Sequence, residues 1–489
     1  MDKKLFKNYF YNILYQVFTI LAPLITVSYT TRTLKEGLGV NAFSATVVQW
    51  FVIFGIMGIN NYGIKTIGAI RDNRQQLSKN FAEIFFMQMV NMCVVFIIYI
   101  VFISISSLQY RLIYFIQALS IIATMFDISW FFLGIEDFKI NSLRNILVRT
   151  IGIIFIFIFV KSESDLWKFV LINAGMAVLG QLVMFMQLPK YIDHTKINIK
   201  DAYNNHFKEN LILFVPQLAT SIYNVMDQTL VGILAVDWEA QSAYYQQAIR
   251  FVRMFLYLIT SIGAVIMPRI SNIYHKGDME QIKLYLSSTL KLALYLSVPI
   301  MFGTAAVAPS LIPWFMDEGF GCVSMLIQVA CPIIILVSLS NVFGFQYLLP
   351  TGKTKQYSIS VGLGAIVDLI GNIILVPKYG ALGACIAIVL AEGSVTLSQI
   401  IFIHGKFDFG FSLKNFLVYF TNGILMFVIV YYIGKVLGPS FKTNVIQIVV
   451  GAIFYIGFLT IIKDEFHFLI IEKIKLLIKK KRVNDEENI

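Results

Sequence analysis

Long apolar runs alternate with short polar gaps along this chain. Runs of about 20 residues, enough to cross a bilayer, fall near residues 9–30, 42–63, 81–106, 110–133, 145–160, 166–188, 210–235, 241–267, 284–308, 322–348, 356–376, 380–403, 414–434 and 444–462. The pattern predicts about fourteen transmembrane helices. With the amino terminus inside, the inside gaps and the tail hold about 27 of the 39 Lys and Arg, and the outside gaps about 8. One helix more or fewer would invert every later gap and erase this asymmetry, so both termini are expected in the cytoplasm. Met1–Asn8, with Lys3, Lys4 and Lys7, enters the first run without a small-residue cleavage site, which predicts a retained first helix.

None of the internal gaps is long enough for a soluble domain; the largest are Pro189–Glu209 and Pro268–Lys283. In the tail, Glu472–Arg482, residues Ile474, Leu477 and Ile478 stand among lysines. That pattern fits an interfacial amphipathic helix and a solvated tail about equally.

Composition agrees with lipid as the main solvent. Of 489 residues, 58% are hydrophobic and 14% charged, against about 25% charged in a soluble domain; mean hydropathy is +0.75. The net charge of +11 does not point to nucleic acid, because the cations sit in gaps and tail and form no aromatic-interleaved groove. An anionic membrane face accounts for them. Cys93, Cys322, Cys331 and Cys385 lack metal-ligand spacing and read as small apolar residues. Gly352–Lys353–Thr354 looks like the end of a phosphate-binding loop, but Tyr347 occupies the position where the upstream glycine is required. No cofactor is implied.

Polarity inside the runs carries the chemistry, because charge in a membrane interior is costly and usually faces a cavity or a partner. The charged candidates are Asp127, Arg149, Asp227, Arg250, Arg253, Lys291, Asp368 and Glu392. Gln246, Arg250, Arg253 and Tyr257 share one helical face, as do Gln217, Ser221, Asn224 and Gln228. Asn12, Gln16, Thr19, Pro23 and Thr26 line a third. Three polar stripes predict a hydrated interior groove. Two cations one turn apart repel unless an anion neutralises them, and a pair of guanidiniums suits a diphosphate. Asp227 with Arg250 or Arg253 equally fits a structural ion pair, and Arg149 and Lys291 sit near enough to helix ends to snorkel. The buried acids are equal in number to the cations, so a cationic drug or a coupling ion (H+ or Na+) also fits. Asp127, Asp227 and Glu392 are the weaker candidates for that coupling.

A faint duplication joins the halves. Pro23 and Pro216 lie in the first and seventh runs, and both halves place a charged linker after their second run. Such repeats are a common transporter plan.

Several fragments, in order, carry a resemblance. They are Gly58–Ile59–Asn60–Asn61–Tyr62–Gly63 with Ile70–Arg71–Asp72–Asn73, and Trp130–Phe131–Phe132–Leu133–Gly134–Ile135–Glu136–Asp137–Phe138. Asp227, Ala248, Met267–Pro268–Arg269–Ile270–Ser271, Pro350–Thr351–Gly352–Lys353 and Val376–Pro377–Lys378–Tyr379–Gly380–Ala381–Leu382–Gly383–Ala384 continue it. The chain resembles the polysaccharide-transporter (Wzx-type) flippases of the multidrug/oligosaccharidyl-lipid/polysaccharide exporter superfamily. The resemblance implies two six-helix lobes, residues 1–209 and 210–405, with two further helices and a basic tail in 406–489. It implies a non-enzymatic protein of the bacterial cytoplasmic membrane that moves an undecaprenyl-diphosphate-linked oligosaccharide outward by alternating access, for capsule or other surface polysaccharide. On that reading Arg250, Arg253, Arg149 and Lys291 hold the diphosphate, with Gln246, Tyr257, Gln217, Asn224 and Gln16 along the sugar path. The alternatives are an ion-coupled multidrug antiporter of the same superfamily and a membrane enzyme of polysaccharide assembly. The second lacks an external loop or a His/Asp pair to work with.

Overall fold

The computed structural model describes residues 18, 22, 24–193, 195, 199–405 and 413–486. Among these the regular elements are helices, with no sheet, and eleven segments are long and apolar enough to cross a membrane. The chain is an all-α multi-pass membrane protein. Its described residues gather into two units, one drawn from 1–247, 316–319 and 365–387, the other from 248–315, 320–364 and 388–489.

In the first unit two of the expected continuous spans are broken. α1 (Gly37–Ile56) stops where Met57 and Gly58 turn left-handed, and α2 (Ile59–Ile70) resumes at once. Gly58 has φ +86°, and a Cβ there would stand 3.0 Å from the Phe214 backbone, so glycine is needed for both conformation and space. α3 (Arg74–Ile105) is unbroken, its first turn capped by the Asn73 side chain, which accepts from the Gln75 and Gln76 N–H groups. α4 (Arg111–Met125) ends early, and α5 (Ser129–Gly134) follows after three residues. There Asp127 Oδ1 accepts from the Ser129 N–H at 2.9 Å, a local turn that competes with helix. Polar residues do mark both places, Asn60 and Asn61 at one and Asp127 and Ser129 at the other, but hydropathy averaged over a whole span does not show that the helix stops there.

α6 (Phe138–Phe159), α7 (Leu166–Phe185) and α8 (Ile199–Leu234) follow, then α9 (Trp238–His275) and α10 (Met279–Phe315). Two expected loops are shorter than the polar gaps implied. Helix α8 starts at Ile199, inside the expected 189–209 gap, and α9 and α10 leave only residues 276–278 between them. At about 1.5 Å per residue α8 and α9 exceed the ~30 Å hydrocarbon core, so their polar turns reach into the interface and continue as helix.

α11 (Val323–Ala330) and α12 (Ile333–Ser340) lead through a π turn, Asn341–Leu348, to α13 (Thr354–Tyr379) and α14 (Ala381–Ile403). α15 (Leu413–Leu437), α16 (Phe441–Ile461) and α17 (Glu465–Glu486) complete the chain. The basic tail therefore takes the helical alternative. His467 at its start is buried, its ring joined to the Tyr295 hydroxyl and to Thr460, both at 3.0 Å.

Two apolar cores sit on either side of the breaks in the first unit. Val48, Val52, Met92, Tyr99 and Tyr114 belong to one; Ile56, Ile59, Phe81, Trp130 and Phe131 belong to the other. α2 and α5 approach closely, and a Cβ on Gly63 would lie 2.5 Å from the Trp130 ring. Gly63→Ala is expected to destabilise the protein by about 1–3 kcal/mol through overpacking, read as a lower Tm in detergent. Gly68→Ala, whose Cβ would meet only the Gly134 carbonyl at 3.6 Å, should stay close to wild type. Equal losses at both positions would mean that this contact does not govern the site, since alanine raises helix propensity at each.

Candidate functional site

The two breaks meet at a cavity of about 230 Å³ lined by the polar side chains of Gln49, Asn60, Thr124, Asp127 and Ser221, with Ile56 and Phe214 among its apolar walls. Discontinuous helices around a polar cavity are the recurrent way in which transporters build a site within hydrocarbon, because irregular backbone is tolerated there only when it is satisfied by protein or water.

Here a single side chain satisfies it. Gln88 of α3 is fully buried. Its Nε2 donates to the carbonyls of Thr124 and Asp127 at 2.9 Å and of Met125 at 3.2 Å. Its Oε1 accepts from Trp130 Nε1–H at 3.0 Å. Gln88 thus occupies the gap between α4 and α5 and sets the position of Asp127. Below it, His206 of α8 joins Tyr62 of α2 and Glu83 of α3. The His206 Nδ1 is 2.6 Å from the Tyr62 hydroxyl and its Nε2 is 2.9 Å from Glu83 Oε2. All three are buried. Every group is satisfied when Nε2–H donates to the carboxylate and Nδ1 accepts from the phenol.

A second polar centre in the same unit surrounds Asp227, which is 1% exposed. The Tyr245 hydroxyl donates to its Oδ2 and Asn372 Nδ2 donates to its Oδ1 at 2.8 Å. The same nitrogen is 3.2 Å from Asp368 Oδ1, and Asp368 and Asn372 are fully buried. The two acids therefore stand at most about 6 Å apart, close enough for each to feel the other's charge. Both oxygens of Asp227 are engaged by neutral donors, Tyr245 and Asn372.

The remaining candidates are placed more loosely. On α9, Gln246 and Arg253 are half-buried and Arg250 is exposed. Arg149 on α6 is exposed, Lys291 on α10 and Glu392 on α14 are half-buried. Gln16 and Pro23 lie outside the described residues, as do the side chains of Pro216, Gln217, Asn224 and Tyr257. Of the α8 stripe, Ser221 reaches the cavity beside Asp127, and Gln228 Nε2 donates to the Ser242 carbonyl at 3.3 Å.

Sequence reasoning singled out Asp127, Asp227 and Asp368 but not the neutral groups bonded to them, Gln88, Asn372 and Tyr245. Asn372 was detectable, four residues after Asp368 on one helical face. Gln88 was not, since its partners are main-chain atoms of another helix.

Broken helices, buried acids and polar pockets in an all-helical membrane body define a transporter. Comparison with known proteins narrows the class. Residues 5–274, more than half of the chain, match the model of the family described as polysaccharide biosynthesis protein. The chain belongs to that family, within the multidrug/oligosaccharidyl-lipid/polysaccharide exporter superfamily of transporters, and it is not an enzyme. It is 24% identical over 386 residues to a putative O-antigen transporter of Shigella dysenteriae, covering 77% of this chain and 94% of that one. To the putative O-antigen transporter of Escherichia coli K12 it is 22% identical over 410 residues, 82% and 97% of the two chains. Among solved structures, the lipid II flippase MurJ in an inward closed conformation is similar with a TM-score of 0.74 at 16% identity, over 94% of this chain and 99% of that one. An inward-facing multidrug resistance transporter of the superfamily shares the fold with a TM-score of 0.60 at 13% identity, over 84% and 94%.

Proposed function

We propose that this protein is a flippase that carries a polyprenyl-diphosphate-linked oligosaccharide outward across the bacterial cytoplasmic membrane by alternating access, for a surface polysaccharide. The observation that carries the reading is the pair Arg250 and Arg253, one turn apart on a 38-residue helix that also bears Gln246. Two guanidiniums one turn apart on one helix suit the several oxygens of a diphosphate. The near full-length likeness to putative O-antigen transporters supports the same class of cargo.

In this mechanism the polyprenyl tail stays in lipid while the diphosphate rests against Arg250 and Arg253, with Arg149 and Lys291 assisting. Polar side chains replace the water that the sugar hydroxyls leave, which avoids the cost of unpaired polar groups in hydrocarbon. The fourteen-helix arrangement of two lobes and two added helices, with both termini cytoplasmic, belongs to this proposal. Energy enters at the acids. Adding or removing one positive charge beside Asp227 and Asp368 alters their mutual repulsion by about 3 kcal/mol at 6 Å and an effective dielectric of about 20. That is enough to bias a two-state equilibrium strongly, whether the charge is a proton or a sodium ion. Glu392 and Asp127 are further acids on which such a charge could act.

The test is complementation of a deletion strain with Arg250→Ala/Arg253→Ala. A charge-assisted hydrogen bond is worth about 1.5–3 kcal/mol, so surface polysaccharide should fall at least about tenfold at equal protein level, with lipid-linked glycan accumulating inside. Normal polysaccharide would remove the diphosphate role. Loss of drug resistance without glycan accumulation would favour an antiporter.

A further inference from the structure

We propose that the cavity at the two helix breaks is a binding site for a small monovalent cation of sodium size, with the Asp127 carboxylate and Asn60 Oδ1 among its ligands. The site is separate from the acid pair at Asp227, and the inference stands whichever cargo the protein carries.

The lining contains acceptors that no cation or donor side chain among the described residues satisfies. Asp127 spends Oδ1 on the Ser129 N–H, and among the described residues no Lys or Arg comes within 4.0 Å of its carboxylate. Asn60 Oδ1 is buried without a hydrogen-bond partner among the described residues. A buried acceptor left in that state is costly. The Thr124 hydroxyl donates its proton back to the Ser120 carbonyl at 3.0 Å, so only lone pairs remain for the cavity. Gln49 and Ser221 add two more oxygens, together with donors of their own that can turn to water.

One carboxylate with neutral oxygens, and neither thiol nor imidazole in the lining, suits a hard ion of single charge. The volume holds such an ion with several waters, each needing about 30 Å³.

The experiment is equilibrium binding of radioactive sodium to the purified full chain in nanodiscs, with choline chloride holding ionic strength constant. Wild type is expected to retain sodium saturably and to prefer it to potassium. Asp127→Asn should lose about one ion per protein, Asn60→Ala and Thr124→Val should each raise the half-saturating concentration about tenfold, and Asp227→Asn should keep this ion. Gel filtration identifies any variant that fails to fold, and the Asn60 and Thr124 variants decide if Asp127→Asn does. Absence of saturable sodium binding by wild type overturns the inference, as does binding unchanged in the folded Asp127, Asn60 and Thr124 variants. Loss confined to Asp227→Asn overturns it too, while leaving the proposed function untouched.

Discussion

Asp227→Asn is expected to reduce transport about a hundredfold while the protein remains folded. The substitution keeps the volume and an acceptor for Asn372, but it removes a charge that stands within about 6 Å of Asp368 in a fully buried setting. Whatever positive charge drives the conformational cycle then meets one anion where it met two, and the roughly 3 kcal/mol of pair repulsion that binding would relieve is gone. Asn372 stays held by its bonds to Asp368, so the new amide keeps its oxygen toward Asn372 and turns its N–H groups toward the Tyr245 hydroxyl, which can accept. The measurement is initial-rate transport in vesicles, with Tm and gel filtration as folding controls. Transport at the wild-type rate would show that the acid pair is structural only.

The largest loss of stability is expected from Gln88→Leu, which keeps approximate volume but abandons four polar partners. Gln88 donates to the carbonyls of Thr124, Met125 and Asp127 and accepts from the Trp130 indole N–H, and of these only the Thr124 carbonyl has a further donor among the described residues, the Asp127 N–H at 3.1 Å. An unsatisfied buried group costs about 1–3 kcal/mol, and relaxation recovers part of it, so a total of about 3–6 kcal/mol is expected. A matched control separates the contributions. Trp130→Phe alone should cost about 1 kcal/mol, since the ring contact with Phe81, with centroids 5.5 Å apart, is retained. In the double variant the indole N–H is no longer stranded, and the pair should be less destabilised than the sum by about 1 kcal/mol or more. Strict additivity in thermal unfolding would mean that Gln88 does not act through Trp130.

These two residues differ in how they announce themselves. Asp227 is legible because a carboxylate within an apolar run is costly wherever it points. Asp127 is legible for the same reason, although its role at a helix end is not. Gln88 lies in an ordinary stretch, Phe86–Met92, between apolar neighbours, and nothing in its spacing marks it. Its value arises from backbone carbonyls at the break between α4 and α5, nearly forty positions away. Asn60 is similar: it belongs to a fragment that carries the family resemblance, yet its orphaned oxygen becomes meaningful only when α4 and α8 are brought beside it.

Burial in lipid is a one-dimensional property, a matter of how many apolar residues follow one another, so the amino-acid order by itself determined the helical membrane class, most span positions and the costly charges. The helix breaks, the chaining of Asp227 to Asp368 through one amide, and the pocket of unmatched oxygens were decided only by the tertiary structure. The reason is geometric: hydrogen bonds at about 3 Å between distant helices depend on how those helices pack, and a linear pattern contains no such distances.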